Sequence, residues 1–239
     1  MNTDPLGKAL LAYLDGQEEA AIVLHSSLDG IDKMDVVTFF RSFDEMPKVE
    51  QGALLLAYGK ILDVGAGAGC HSILLQNNHQ DVWGLDVSKG AVETMKQMGI
   101  KQTIQSNFYD YEAGSFDTIL FLMNGIGLFG AIEELPKLLN HCKKLLSPNG
   151  QILFDSSDII NAYQESDGSF RISLTDDYYG TVSYQMEFEG EIGPSFKWTY
   201  IDSALMYELA TKSGFDMEVL IEGPNNDYLA KLTLSVVNQ

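Results

Sequence analysis

The sequence predicts an α/β fold on a mostly parallel sheet with helices on both faces, and three observations carry that expectation. From Lys60 onward, apolar runs of strand length alternate with helical segments, the order that gives parallel strands joined by crossover helices. The first of these runs, KILDV, passes into a glycine-rich turn and then a helix. The chain closes on two alternating segments, FDMEVLIEG and YLAKLTLSV, joined by PNND, which reads as a hairpin rather than a further crossover.

In the first strand, Ile61, Leu62 and Val64 supply the apolar run of a strand covered on both faces. Gly65, Gly67 and Gly69 let the backbone turn sharply and approach a ligand with no Cβ in the way. The helix that follows, from about Cys70 to Leu75, begins with unpaired backbone N–H groups. A dinucleotide fold wants G-x-G-x-x-G/A, but counting from Gly65 or Gly67 puts Cys70 or Ser72 in the third position. What stands here is D-x-G-x-G-x-G led by Asp63. This resembles the first motif of class I S-adenosylmethionine-dependent methyltransferases. The resemblance implies a Rossmann-like, seven-stranded sheet ending in an antiparallel hairpin, with S-adenosyl-L-methionine as cofactor. Asp63 would then lie near the cofactor's amino-acid end, and Gly65, Ala66, Gly67 and Gly69 would run beneath its ribose and methionine parts.

The second strand, QDVWGLD, ends on Asp86, about 20 residues past the glycines, where a carboxylate accepts ribose hydroxyls. Ser88 is the better N-cap for the next helix, which leaves Asp86 for a ligand. The family places Val87 against the adenine edge. A third strand at Gln102 to Gln105 leads to Asn107 and Phe108, a second adenine contact at which the family more often has Asp. The fourth strand, SFDTILFLMN, brings Asn124, Gly125 and Gly127 to the carboxyl edge of the sheet, where open α/β folds bind ligands. The Asn/Asp-Pro-Pro-aromatic run of amino-group methylases of nucleic acids is absent there. A helix at about Leu135 to Leu146, the turn Pro148-Asn149-Gly150 and a fifth strand, QILFDSSD, follow. The last helix spans about Ser203 to Ser213, with Asp202 or Ser203 as cap and Gly214 as stop.

Two segments lie outside this repeat. Residues 1–59 are expected to form a helical extension or lid: Asp4-Pro5 caps a helix with Leu6, Leu10, Leu11 and Leu14 as its stripe, and a helix from Pro47 is stopped by Gly59. Phe39, Phe40, Arg41 and Phe43 are candidates to close the site, with packing of helix on sheet as the ordinary alternative. Residues 60–239 form the cofactor domain, with a β-hairpin inserted at about 180–201 whose Val182, Tyr184, Met186 and Phe188 point one way, as do Phe196, Trp198 and Tyr200.

With 15 basic and 34 acidic residues the formal charge is −19, so a polyanion such as DNA or RNA is an unfavourable acceptor. The acceptor is expected to be a small molecule, or else a protein side chain. Hydride transfer with a nicotinamide cofactor, or cofactor binding without catalysis, are the alternatives. An oxygen or protonated nitrogen acceptor needs a base, for which Asp155, Asp158, Tyr109 and His71 are candidates by position. The four histidines and two cysteines show no metal-ligand spacing, so no metal is expected. Two cysteines make no disulfide framework, no run approaches the ~18 apolar residues of a membrane span, and MNTDPLGK lacks secretion-signal character. Cys70 and Cys142 are therefore expected to be reduced thiols, and the location cytoplasmic.

Overall fold

The computed structural model describes residues 3–28, 30–172 and 177–235. Helix α1 (Pro5–Leu14) begins as expected, with Asp4 accepting from the Gly7 N–H at 2.9 Å and Pro5 in its first turn. Its buried face is Pro5, Gly7, Ala9 and Leu10, so of the expected leucine stripe only Leu10 is fully buried.

The stretch after α1 corrects the expectation of a purely helical extension. It contains strands β1 (Ala21–Ser26) and β2 (Gly30–Asp35), followed by 3-10 turns at Val36–Phe40 and Phe43–Glu45 and by α2 (Lys48–Leu56). The core sheet follows as β3 (Lys60–Val64), α3 (Cys70–Asn77), β4 (Asp81–Asp86), α4 (Lys89–Gln97), β5 (Gln102–Gln105), β6 (Phe116–Phe121), α5 (Leu135–Leu145) and β7 (Leu146–Ser157). The insertion is β8 (Thr181–Phe188), β9 (Glu191–Ile192) and β10 (Phe196–Thr199). Then come α6 (Ser203–Lys212), β11 (Phe215–Glu222) and β12 (Asp227–Leu234). Val236, the end of the last expected strand, lies outside the described residues, as do 237–239.

The seven-stranded sheet has the order β11-β12-β7-β6-β3-β4-β5. β3 through β7 pair in parallel, and the closing hairpin adds β12 antiparallel to β7 and β11 antiparallel to β12. Both faces are covered. Leu62, Phe121 and Phe154 pack towards α5 and α6, while Ile61, Leu120 and Leu153 pack towards α2 and α3. That two-sided burial is why these strands read as nearly continuous apolar runs.

β1 pairs antiparallel with both β2 and β8, and β8 with β10, giving a second sheet of order β10-β8-β1-β2 to which β9 adds at β8. Extension and insertion are therefore one unit. Ile22, Leu24, Met34, Met186 and Phe188 of this sheet pack with Ala9 and Leu10 of α1 onto Ala68 and Ala91, at the glycine turn and the start of α4. Among the described residues no helix is long and apolar enough to cross a membrane. Cys70 and Cys142 are buried free thiols.

Candidate functional site

The turn between β3 and α3 takes positive φ at Gly65 (70°), Gly67 (57°) and Gly69 (84°), a region L side chains rarely adopt. The Gly65 and Ala66 amides both donate to the Leu85 carbonyl, at 2.8 and 3.1 Å, which ties the turn to the end of β4. Over Gly65 the space is open: an added Cβ would meet nothing within 4 Å. Over Gly67 the Phe39 ring is the neighbour, 3.3 Å from where a Cβ would be. Phe39 thus lies on the turn, whereas Phe40 stacks on Tyr13 at 4.5 Å between ring centroids.

Asp86 ends β4, buried, and is less free than the sequence suggested. Its Oδ2 accepts from the Gly67 N–H at 2.9 Å and its Oδ1 from the Ser88 N–H at 2.8 Å. Ser88 caps α4 as expected, accepting from the Ala91 N–H at 2.9 Å. Burial raises the Asp86 carboxyl above its ordinary value, the two backbone bonds oppose this, and the nearby Asp4 and Asp63 charges add to it. Each oxygen keeps further lone-pair capacity for a ligand hydroxyl. Beside it Val87 is 68% exposed, an apolar side chain held out at the sheet edge.

Asp63 is buried and accepts from the Ser72 hydroxyl at 2.7 Å; burial raises its carboxyl, with His71 and Ser72 acting the other way. His71 does not present a free base. Its Nε2 lies 2.7 Å from Glu50 Oε2, and both groups are buried. Arg41 Nη2 donates to the same carboxylate at 2.9 and 3.1 Å. Burial pushes the Glu50 carboxyl up, but the bond and charge of His71, with Arg41, outweigh it and hold the group below its ordinary value. For His71 burial works against the charged ring, yet the adjacent Cys70, Glu50 and Asp63 raise it well above its ordinary value. Arg41 is thereby tied to α2 directly and, through Glu50, to His71 of α3. Glu50 was not singled out from the sequence; its signal is a carboxylate on the apolar face of α2, three and four residues before the buried Ala53 and Leu54.

At the ends of β6 and β7 the structure separates the two aspartates. Asp155 is 4% exposed; its Oδ2 accepts from the Asn124 N–H at 2.8 Å, while Oδ1 is buried with no hydrogen-bond partner among the described residues. Burial pushes its carboxyl up to about 7, opposed by the Asn124 bond and modulated by Glu50 and His71. Asp158 is committed elsewhere, its Oδ1 accepting from the Ile160 N–H at 2.9 Å and the Tyr179 hydroxyl at 2.6 Å. Asn124 sits in the left-handed region (φ 54°) and heads a 3-10 turn at Gly125–Phe129. Its side-chain oxygen accepts from Ser157 Oγ at 2.9 Å and its carbonyl from Trp198 Nε1 at 3.1 Å. The second sheet therefore reaches the carboxyl edge of the first. Gly127 must be glycine for this, since a Cβ there would lie 2.5 Å from the Thr199 carbonyl and 2.6 Å from Trp198 Nε1.

The remaining candidates are drawn away. Tyr109 packs against His141, with Lys137 4.8 Å over its ring, and burial raises its hydroxyl to about 12, which unsuits it as a base. The Phe108 ring is in the core, edge-on to Phe121 and His141, so stacking on an adenine is closed to it and only its backbone is left for a ligand. Asn107 is exposed, and its Oδ1 accepts from the Tyr109 N–H at 2.9 Å, capping a 3-10 turn.

Residues 62–154, which carry the glycine turn, Asp86 and Asn124, match the model of a methyltransferase domain. An S-adenosylmethionine-dependent methyltransferase from Bacteroides fragilis, solved with S-adenosyl-L-homocysteine, is 40% identical, with a TM-score of 0.91 over 98% of this chain and 95% of that one. The chain belongs to the S-adenosylmethionine-dependent methyltransferases. The CcbJ methyltransferase of Streptomyces caelestis shares the fold at 14% identity, with a TM-score of 0.61 over 83% of this chain and 98% of that one. The biotin biosynthesis bifunctional protein BioHC of Saccharophagus degradans is 24% identical over 103 residues, so the match spans 41% of this chain but only 18% of that protein. The methyltransferase uses S-adenosylmethionine as its cofactor, and neither hydride transfer nor a purely sensory role gains support. Its residues fit that group: open space over Gly65, an exposed Val87, and the buried carboxylates Asp63, Asp86 and Asp155 against a ligand that carries positive charge.

Proposed function

We propose that the methyltransferase modifies a small molecule held between the carboxyl edge of the main sheet and the second sheet, with Asp155 taking up the proton that the attacking atom loses. The observation that carries this reading is the buried, unpartnered Asp155 Oδ1 beside Asn124. A buried acceptor atom left without a donor is costly, and a substrate O–H or N–H would relieve it. The adenosyl part would lie along Gly65, Ala66 and Gly67 with its ribose at Asp86 and its adenine against Val87 and the Asn107–Phe108 backbone, and the amino-acid part towards Asp63 and Gly69.

Bound S-adenosylmethionine supplies an electrophilic methyl group on a positively charged sulfur. The chain's task is alignment in a water-poor pocket, which can contribute about 7 to 11 kcal/mol. Asn124 fixes one Asp155 oxygen and leaves the other for the acceptor, and a carboxyl near 7 is matched to proton transfer at neutral pH. Trp198 closes the acceptor side through its bond to Asn124, and Phe39 covers the turn. The strongly negative chain disfavours nucleic acid, and a cytoplasmic setting suits the two free thiols.

The test is transfer of an isotopically labelled methyl group from S-adenosylmethionine into a cell extract, separated into small-molecule and protein fractions. Label in the small-molecule fraction that disappears with Asp155→Asn supports the reading. Label confined to protein overturns it.

A further inference from the structure

Asp4 stands far from the glycine turn in sequence, yet its carboxylate joins two helices at the cofactor edge. Oδ1 accepts from the Gly7 N–H at 2.9 Å and so caps α1. Oδ2 accepts from Ser88 Oγ at 2.8 Å and from the Gly90 N–H at 3.0 Å, at the start of α4. Ser88 is the residue whose N–H bonds Asp86 Oδ1. The two helices meet glycine to glycine: a Cβ on Gly90 would fall 2.4 Å from the Gly7 backbone, and one on Gly7 would fall 2.6 Å from the Gly90 Cα. Contact that close leaves α1 little room to shift against the Asp86–Ser88 loop.

From this contact we infer that Asp4 is a positioning residue for cofactor binding, which holds the Asp86–Ser88 loop in the shape that receives the ribose, so that docking of α1 sets affinity for the adenosyl group. The inference rests on Asp86 being the ribose ligand. An N-terminal segment outside the strand–helix repeat thereby becomes part of the cofactor site, and ligand binding should in turn tighten α1 onto α4.

Asp4→Ser separates the two roles of this carboxylate. Serine is as good an N-cap for α1, but it is too short to cap Gly7 and reach Ser88 and Gly90 together. Isothermal titration with S-adenosylhomocysteine and with 5′-methylthioadenosine, which shares the ribose but lacks the amino-acid part, is expected to show a similar, roughly tenfold weakening for both, about 1.4 kcal/mol. Leu10→Ala, in the buried face of α1, is the stability control: it should lower Tm more than Asp4→Ser while changing the affinities less than threefold. Parental affinity in Asp4→Ser, or affinity losses that simply follow Tm across the two variants, would overturn the inference. Asp86→Ala tests the reading beneath it. If that variant binds both ligands like the parent, the ribose assignment fails; if it weakens binding more than tenfold and Asp4→Ser does not, the role of Asp4 alone fails.

Discussion

Replacing Glu50 with Gln should unfold the methyltransferase at a much lower temperature, because one buried carboxylate serves two cationic partners. Glu50 is 3% exposed and receives Arg41 at 2.9 and 3.1 Å and His71 at 2.7 Å. Glutamine fills the same volume, but it offers one acceptor oxygen instead of two and turns an N–H₂ towards a cation. Removing one partner of a buried charge pair costs about 3 to 5 kcal/mol, because the other charge is left uncompensated. At about 2 to 4 °C per kcal/mol for a domain of this size, the expected fall in Tm is roughly 6 to 20 °C. The pH dependence carries the sign. Glu50 lies below its ordinary 4.5, so its contribution is present above that value and is lost as pH falls through the lower, folded value. His71 lies well above its ordinary 6.5, so its contribution is full below 6.5 and is lost as pH rises through the raised value. The Tm gap between parent and variant should therefore be widest between these two ordinary values, close on the acid side and narrow on the alkaline side, where the Arg41 pair to Glu50 remains. Thermal unfolding of both proteins from pH 3 to 10 measures it. A gap under 2 °C at pH 6, or one that is flat across the range, would refute the buried charge network.

Three further outcomes are expected. Gly67→Val puts a β-branched residue at φ 57° with its Cβ 3.3 Å from Phe39, so S-adenosylhomocysteine at about 100 times its parental dissociation constant should lose the ~2.7 kcal/mol of thermal stabilisation it gives the parent; a retained shift would remove this turn from the site. Methyl transfer by the parent should rise with pH through about 7 as Asp155 ionises, and Asp155→Asn should be slower by about 10²- to 10⁴-fold with that limb absent; a persisting limb would assign the base elsewhere. The same substitution should improve Tm relative to the parent as pH rises from 4 to 8, because the raised carboxyl gives the parent stability below its ordinary 3.8 that is lost through about 7; a constant difference would contradict a buried, neutral Asp155.

Much of the fold was legible because its signals are local. The strand at Gln102 to Gln105, the N-cap at Ser88, the cap of α6 at Asp202, one of the two residues expected there, and the closing hairpin each depend on residues a few positions apart. The glycine turn was readable for the same reason: positive φ at alternate residues can be supplied only by a narrow set of side chains. Strands β1 and β2 were not readable in this way. β1 finds its second partner in β8, some 160 residues on, and the register Val23 to Glu187 leaves little trace in a six-residue strand.

By itself, then, the sequence determined the parallel sheet with its antiparallel end, the glycine-rich turn and the acid at the end of the second strand, since hydrophobic period and backbone freedom are properties of neighbouring residues. Only the tertiary structure decided which polar groups share a partner. It joined Glu50 to both Arg41 and His71, gave Asp158 to Tyr179 while leaving an oxygen of Asp155 free, and brought Asp4 to Ser88. Hydrogen bonding and burial act through space, and residues 84 positions apart become neighbours only when the chain folds.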